Sequence, residues 1–390
     1  MTTETAIISA QLQNAVNLRH AGKYQEAKEV AGAITFSHPE NISAWHTLGQ
    51  CWTELGNFDA AYDCHRLAME GIKSQNVQNL EVYQKCALAL AQCMMRMGRF
   101  ESGLPLWEAG RLGVSWKPWP GAQYFDGKGS YEGKSLLVQS EGGYGDTFMF
   151  MRWLPLLKDR FGFAKIGLMV WKPLVDFCDW SALGIDQVFE IDKDKAKFDW
   201  NYATSIMSMP AVFGMKTWED VPCSPFFPGK GHVHSTTTFR LGFTHRAEEN
   251  SSPVRTKSLP LHVSQEVADL MRETRIYSLS PEKSDLYNTA GFAQPVGVCY
   301  EPARMTSWKA TAEYVCSMDF VLTVDTACAH LAGLLGVPAL VILPTSSCWR
   351  WRMPGENPVW YGPHVSYFRQ QVPLEWDAAD IVKALKQRIG

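Results

Sequence analysis

The sequence has no uncharged apolar run that reaches the roughly 18 residues needed to cross a bilayer. Its first residues, MTTETAIISAQLQNAV, lack the basic stretch and the following apolar stretch of a secretion signal. These two absences predict a cytoplasmic protein without a membrane span.

Metal-binding and disulfide patterns are also missing. The ten cysteines include no Cys-x-x-Cys pair, and many lie in apolar contexts, which predicts reduced, buried thiols. His232 and His234 form a short HVH segment, but no third ligand is evident, so the sequence favours a linker there and no metal site.

Neither sign of charge dominates, because the net charge is -3 at pH 7. Bulk charge therefore gives no support for binding to nucleic acid, although a local basic groove stays open as an alternative. Apolar residues make up 46% of the chain and charged residues 20%, as in folded globular proteins. A length of 390 residues predicts two or three domains.

The amino-terminal part carries an internal repeat. Glycine, aromatic and alanine positions recur at a shift of 34 residues, and a degenerate third copy follows after an eight-residue insertion. The repeated positions are Gly22, Tyr24 and Ala27, then Gly56, Phe58 and Ala61, then Gly98 and Phe100. This pattern resembles the tetratricopeptide repeat and predicts stacked helix pairs over residues 1–112.

Such a stack buries its apolar faces between neighbouring helix pairs and leaves a concave surface. That surface is a candidate site for a protein or glycan acceptor or for a partner subunit, including a second copy of this chain. The alternative is that the repeats only cap the next domain or form a dimer contact.

From about residue 113 short apolar runs alternate with helical stretches, which predicts parallel sheets covered by helices. A proline-rich break at 221–232 separates two such halves, so we expect an α/β class with Rossmann-like domains at 113–228 and 229–390. The predicted strands are KSLLVQ, KIGLMVW and QVFEI, then FRLGFTH, TRIYSLS, QPVGVCY, DFVLTV and PALVILP, and KPLVDFCDWSALG is predicted to be helical. Facing carboxyl ends of the two sets of strands would form a ligand-binding cleft.

One candidate site lies where the strand DFVLTV leads into the helix ACAHLAGLLG. Asp325 and Thr326 are candidates to cap this helix, and the amide groups of its first turn are suited to a phosphate or diphosphate. His330 follows one turn later, where a ring nitrogen could reach the same anion or a sugar hydroxyl. The alternatives are an ordinary capped turn and a packed histidine.

The second candidate site is the glycine loop after the strand KSLLVQ. It runs through Glu141, Gly142, Gly143, Tyr144, Gly145 and Asp146 and matches neither GxGxxG nor a Walker loop. Asp146 would be presented to the cleft as a general base for an acceptor hydroxyl, with Glu141 as a second candidate catalytic carboxylate. The alternative is that Asp146 only caps its helix.

Residues 101–371 resemble bacterial tetratricopeptide proteins whose carboxyl half belongs with the heptosyltransferase-like glycosyltransferases, a GT-B fold distantly similar to protein O-GlcNAc transferases. The matching blocks occur in the same order: ESGLPLWEAGR, EGGYGDTFMFMRWLPLL, SMPAVFGMKTWEDVP, RTKSLPL, MDFVLTVDTACAHLAGLLGVPALVILP, CWRWRMPGENPVWYG and YFRQ. The resemblance implies sugar transfer from a nucleotide-diphospho-sugar, without a cofactor or a bound metal.

The resemblance also implies roles for particular residues. The nucleotide and diphosphate would be held in the carboxyl-terminal domain by Asp325, Thr326, the adjoining Ala327 and His330. Lys257, with Ser258 beside it and Arg255 in reserve, would neutralise the departing diphosphate. Asp146 would be the base.

Two loops depart from the family pattern, which has EQGxGD and W-x-G where this chain has EGGYGD and GFTHRAEE. His245, in the second loop, is a candidate for a replacement phosphate contact. Trp349, Arg350 and Trp351 are candidates to stack on a nucleotide base by aromatic and cation–π contact, or to pack as a cluster. The terminal helix is expected to cross back to the first half.

The departures keep two further hypotheses open. One is a repeat scaffold with a transferase-like domain that has lost its chemistry. The other is a transferase for a modified DNA base, which would need a basic groove and an extruded base.

Overall fold

A computed structural model describes residues 3–191, 199–222, 238–247, 257–280, 295–356 and 359–389. The predicted boundary between residues 228 and 229 lies outside these ranges. So do Arg255 and the HVH segment.

Three antiparallel helix pairs form the amino-terminal domain, as predicted. They are α1 (Thr3–His20), α2 (Tyr24–Ser37), α3 (Ile42–Glu54), α4 (Phe58–Ser74), α5 (Leu80–Arg96) and α6 (Phe100–Arg111). The repeated glycines Gly22, Gly56 and Gly98 have φ values of 79°, 77° and 74°, so each occupies the left-handed conformation that glycine adopts at lowest cost. Ala27 and Ala61 are fully buried, which lets the helices of each pair pack closely.

The first α/β domain contains a parallel sheet with strand order β1-β5-β2-β3-β4. The strands are β1 (Gln123–Tyr124), β2 (Ser135–Gln139), β3 (Lys165–Val170), β4 (Gln187–Glu190) and β5 (Tyr202–Ser205). Its helices are α7 (Tyr144–Phe150), α8 (Leu157–Phe161) and α9 (Met209–Val212). Leu136, Leu137 and Val138 of β2 are fully buried, so this central strand is covered on both faces.

The second α/β domain repeats this plan with strand order β10-β9-β8-β6-β7, again parallel. Its strands are β6 (Arg240–Thr244), β7 (Arg275–Ser278), β8 (Phe320–Val324), β9 (Ala339–Leu343) and β10 (Val365–Arg369). Its helices are α10 (Leu261–Leu270), α11 (Trp308–Cys316), α12 (Ala327–Leu335) and α13 (Ala378–Ile389). The predicted α/β class, with two Rossmann-like domains after a helical repeat domain, is confirmed.

Several local predictions differ from the structure. The segment predicted as the helix KPLVDFCDWSALG forms only two 3-10 turns, Lys172–Leu174 and Trp180–Leu183, with Pro173 in the first. Of QPVGVCY, the described residues contribute only a bridge between Cys299 and Tyr277. Strands β1, β5 and β10 were not predicted, because each is either very short or mixes polar and apolar residues.

The terminal helix α13 packs within the second domain. Its buried residues Ala378, Ile381, Val382 and Leu385 join the core formed by β6, β8 and α10. The expectation that this helix crosses back to the first half was wrong, because its apolar face packs beside α10 on the sheet of its own domain.

The helical repeats pack directly on the second α/β domain. The buried Arg96 guanidinium donates hydrogen bonds to the carbonyl oxygens of Ser347 and Arg352, and the Thr345 hydroxyl donates to the Glu54 carbonyl at 2.8 Å. Trp107 and Trp349 meet edge to face with ring centroids 6.0 Å apart. Of the alternatives for the repeats, the one in which they cap another domain fits this contact.

Candidate active site between the two sheets

The two candidate sites lie against each other. Each is a corner at which a strand leads into a helix: the loop after β2 leads into α7, and the segment after β8 leads into α12. These two helices pack together. A Cβ atom added to Gly145 would lie 2.8 Å from Cδ2 of His330 and 3.3 Å from Cα of Ala327. Only glycine permits this approach, so the sequence at this position sets the distance between the two domains.

An ion pair marks the carboxyl-terminal corner. Lys257 Nζ lies 3.1 Å from Asp325 Oδ2, and the Asp325 side chain is almost fully buried. Burial opposes the charge of Asp325, but the attraction of Lys257 together with the contributions of His330 and Trp351 outweighs it and holds the pKa of Asp325 below its ordinary value. In turn, Asp325 raises the pKa of Lys257, so both groups are charged at neutral pH.

Helix α12 begins without a side-chain cap. Thr326 occupies the N-cap position in extended conformation, but its hydroxyl lies 3.2 Å from the Thr323 hydroxyl and makes no hydrogen bond to the first turn. Asp325 is instead engaged with Lys257. The predicted capping role of these side chains was therefore wrong. The Ala329 amide donates to the Thr326 carbonyl oxygen at 3.0 Å, and the two amide groups before it keep their capacity to bind an anion.

His330 is buried beside this helix start. Its Nδ1 lies 2.7 Å from the Tyr361 hydroxyl, and its ring stacks on Trp351 with centroids 5.5 Å apart. Burial lowers the pKa of His330 to about 4, so the imidazole is neutral at physiological pH. Sequence reasoning missed Tyr361. A signal that could have indicated a large neighbour is Gly333 inside α12, because a Cβ atom at that position would overlap the Tyr361 ring.

The glycine loop holds Asp146 at the opposite corner. Asp146 Oδ2 accepts a hydrogen bond from the Gly143 amide at 2.8 Å, and a Cβ on Gly142, whose φ is 75°, would come within 2.5 Å of the same oxygen. Asp146 thus caps α7, as the alternative reading expected. Tyr144 packs on Trp308, with ring centroids 5.2 Å apart.

The other carboxylate oxygen of Asp146 pairs with Arg350 across the domain boundary. Arg350 Nη2 lies 2.5 Å from Asp146 Oδ1. Sequence reasoning named Arg350 of CWRWRM only as a candidate for cation–π contact with a base and missed its pairing with Asp146.

Glu141 is engaged elsewhere. It pairs with Arg111 of α6 at 3.1 Å and accepts hydrogen bonds from the Ser115 and Ser205 hydroxyls. Both carboxylate oxygens are therefore occupied by buried donors. We assign Glu141 a structural role that joins α6 to the first sheet, in place of the predicted catalytic one.

His245 and Ser258 lie near Lys257. The Ser258 hydroxyl accepts a hydrogen bond from the Ala247 amide at 3.0 Å, which fixes the backbone next to Lys257. His245 is 1% exposed, and within the described part of the chain neither ring nitrogen has a hydrogen-bond partner. Burial lowers its pKa to about 4. The phosphate contact expected of His245 stays a prediction, because the ring is enclosed in this structure.

The two tryptophans of CWRWRM are core residues. Trp349 is 1% exposed and packs against Trp107, Trp218 and Trp360, so it cannot receive a nucleotide base. Trp351 is also fully buried, under His330. The packing alternative describes both residues.

Over the described ranges, no group of three or more His, Cys, Asp or Glu side chains is arranged to hold a metal ion. Over the same ranges no helix is both long and apolar enough to span a membrane. All nine cysteines that lie in these ranges are free thiols, and six of them are buried.

No protein-family model matches the chain, and no curated protein matches it in sequence. Solved structures do match. A heptosyltransferase of E. coli, WaaC with ADP, is 11% identical, with 65% of this chain and 99% of that chain covered and a TM-score of 0.44. A family 9 glycosyltransferase of Veillonella parvula is 13% identical, with coverage of 68% and 92% and a TM-score of 0.43.

An O-GlcNAc transferase variant of Thermobaculum terrenum is 12% identical, with coverage of 100% of this chain and 94% of that chain and a TM-score of 0.32. These three solved structures come from the two groups named by the sequence resemblance.

Proposed function

We propose that this chain is a glycosyltransferase that moves a sugar from a nucleotide-diphospho-sugar to an acceptor hydroxyl on a protein or glycan, without a bound metal. One observation carries the proposal. An uncapped helix start flanked by Lys257 faces the carboxylate of Asp146 across the boundary of two parallel-sheet domains. An anion site and a proton acceptor on opposite sides of one boundary are the two parts that such a transfer requires.

In the proposed reaction the acceptor oxygen bonds to the anomeric carbon while the bond from that carbon to the diphosphate breaks. The diphosphate leaves with the electron pair, and its growing negative charge is stabilised by Lys257 and the first-turn amide groups of α12. Asp146 takes the proton of the acceptor hydroxyl. Lys257 thereby replaces the charge that a metal ion would otherwise supply.

The donor must bind beside the contact between the two corners. Gly145 and His330 are in van der Waals contact, so no sugar fits between them. The two α/β domains share one buried core, in which Phe150 of the first packs on Trp360 of the second, so we place the donor along the start of α12, where Lys257 lies.

The acceptor proposal rests on the concave side of the repeats. A cleft of about 360 Å³ there is lined by polar and charged side chains, among them Arg19, His46, Gln50 and Lys85, and it reaches Glu54 and Arg96 beside the second α/β domain. An extended peptide in this cleft would run towards the transferase domain. This position favours a protein acceptor over a DNA base.

A second candidate function is a nucleotide-sugar binding scaffold without transfer activity. It is favoured by one observation, which is that both oxygens of Asp146 are already engaged, by Gly143 and by Arg350. The two candidates differ in whether the glycosidic bond of the donor is broken.

The experiment has two stages. Thermal unfolding of the purified protein is measured with ADP, GDP, UDP, CDP and their common sugar conjugates, and stabilisation by at least one is expected. The stabilising sugar conjugate is then incubated with protein, and release of the nucleoside diphosphate is followed. Release supports the transferase, stabilisation without release supports the scaffold, and no stabilisation by any nucleotide contradicts both.

A further inference from the structure

Arg350 is fixed in the structure from both ends. Its carbonyl oxygen accepts a hydrogen bond from Trp360 Nε1 at 2.7 Å, and its guanidinium lies over the Phe150 ring, 5.3 Å from the centroid. The side chain is only 13% exposed and ends on Asp146, 204 residues away in sequence. It is therefore a buried cation of the second domain that is neutralised by a carboxylate of the first.

The same guanidinium is within electrostatic reach of the candidate anion site. Its charge contributes to the pKa values of Lys257 and His330, both of which border the start of α12. Around this boundary two carboxylates, Asp146 and Asp325, face two cations, Lys257 and Arg350. Each of these carboxylates is paired with one of these cations, and a diphosphate would add negative charge for the cations to offset.

We propose that Arg350 is a donor-responsive positioning residue, which restrains Asp146 while the site is empty and moves to the diphosphate when the donor binds. This inference rests on the proposed function. A guanidinium forms two parallel hydrogen bonds with phosphate oxygens, and a diphosphate carries more charge than one carboxylate, so the exchange of partners is favourable.

The exchange links donor binding to base activation. Without a donor, Oδ1 of Asp146 is held by Arg350 and is not available to an acceptor hydroxyl. With the diphosphate bound, Arg350 would stabilise the charge that develops on the leaving group, and Asp146 would be free to take the acceptor proton. The base would then be active only when a donor is present.

The test is a double-mutant cycle on nucleoside diphosphate affinity, measured by calorimetry on the full chain with whichever of ADP, GDP, UDP or CDP stabilises it most. Asp146→Asn should tighten binding about fivefold, since Arg350 no longer has to leave a charged partner. Arg350→Gln should weaken binding about tenfold, since one charge-assisted phosphate contact is lost. In the Arg350→Gln background, Asp146→Asn should no longer tighten binding.

Simple repulsion between Asp146 and the diphosphate predicts a different result, because it would persist when Arg350 is replaced. Tightening by Asp146→Asn that survives in the Arg350→Gln background therefore overturns the proposal, as does no effect of Asp146→Asn in the native background. The matched control is Asp186→Asn, which breaks a Lys158 ion pair of 2.7 Å in the same domain and should leave affinity unchanged.

A variant that fails to fold can be distinguished from a failure of the proposed function. Should Arg350→Gln not fold, Arg350→Lys takes its place in the cycle, because it keeps the charge but loses the paired hydrogen bonds and should weaken binding less. Wild-type protein that binds none of the four nucleotides would contradict the proposed function itself. Wild-type binding with an additive cycle would contradict only the role of Arg350.

Discussion

Gly145 of the first α/β domain lies against His330 of the second, so closely that a Cβ atom on Gly145 would come within 2.8 Å of the imidazole. His330 cannot retreat, because its other face stacks on the buried Trp351 and its Nδ1 is bonded to Tyr361. The contact therefore fixes how close the glycine loop can come to the start of α12.

Gly145→Ala should destabilise the protein by about 1–3 kcal/mol, because the added methyl group overpacks this contact. The direction of the stability change is informative, since alanine is a better helix former than glycine and would stabilise α7 if the contact were absent. Thermal unfolding measures the effect. Gly143→Ala is the control, because its nearest neighbour would be 3.7 Å away, and an equal loss in that variant would contradict the contact argument.

Asp146→Asn should lower turnover by about 10²- to 10⁴-fold, because the amide cannot accept the acceptor proton. Binding of the nucleoside diphosphate should not weaken. Steady-state transfer and calorimetry check the two parts separately. Unchanged turnover would refute the base assignment.

His330→Ala should weaken nucleoside diphosphate binding about tenfold, because one hydrogen-bonding side chain at the helix start is lost. Titration of His330 should not contribute to the pH dependence of affinity between about pH 6 and 8, because burial lowers its pKa to about 4 and the ring stays neutral. Calorimetry at several pH values tests both statements. A fall in affinity across pH 6 to 7 that disappears in His330→Ala would show instead that the imidazolium binds the anion.

Lys257→Met should destabilise the protein at neutral pH by about 1–3 kcal/mol, because it leaves the buried Asp325 carboxylate without its cation, and the partial exposure of Lys257 limits the loss. In the native protein the pKa of Asp325 lies below its ordinary value of 3.8, so its stabilising contribution is complete above that value and is lost as the pH falls through the lower folded value.

In Lys257→Met the pKa of Asp325 should rise, because burial still opposes its charge while the attraction of Lys257 is lost, so protonation relieves the variant as the pH falls. The stability difference from the native protein should therefore be smaller at about pH 5 than at pH 7.5 in denaturant unfolding. Lys158→Met is the control. Its partner Asp186 is 36% exposed, so loss of this ion pair should change the free energy of unfolding only slightly. An equal loss at both pH values in Lys257→Met would contradict the proposed cause.

Arg96→Met should destabilise the protein by about 1–3 kcal/mol, because the Ser347 and Arg352 carbonyl groups lose a buried donor. It should also weaken nucleotide binding, since the segment it releases carries Arg350. Thermal unfolding and calorimetry measure the two effects. Arg99→Met is the control, because Arg99 is an exposed residue between α5 and α6. An equal loss of stability in that variant would contradict the argument that Arg96 holds the two domains together.

Much of the fold follows from periodic patterns that the sequence displays directly. The 34-residue recurrence of Gly22 and Gly56 predicts the helical repeats because each glycine must adopt a left-handed turn at the end of a helix. The buried strand β9 is apolar throughout and β8 is apolar except for Thr323, so both are visible as runs. β10 was not predicted from such a run, because Ser366 and Arg369 interrupt its apolar pattern.

The candidate site was partly predicted, and the missing residues share a cause. Asp146, Asp325 and His330 stand beside recognisable turns, so local sequence identifies them, whereas Lys257 was named from the family resemblance. Arg350 and Tyr361 are identified as site residues by partners that are distant in sequence. No local pattern indicates which carboxylate an arginine will meet across a domain boundary. For the same reason Glu141 was misassigned, since its partner Arg111 belongs to another domain.

The amino-acid sequence by itself determined the helical repeats, the two parallel sheets and the two strand-to-helix corners, because these depend on local periodicity and on residues that permit particular backbone conformations. Only the tertiary structure decided which charges are paired, that Asp146 is restrained by Arg350, and that the repeats brace the second domain through Arg96. Those contacts join residues far apart in the chain, and their geometry is set by the packing of whole domains.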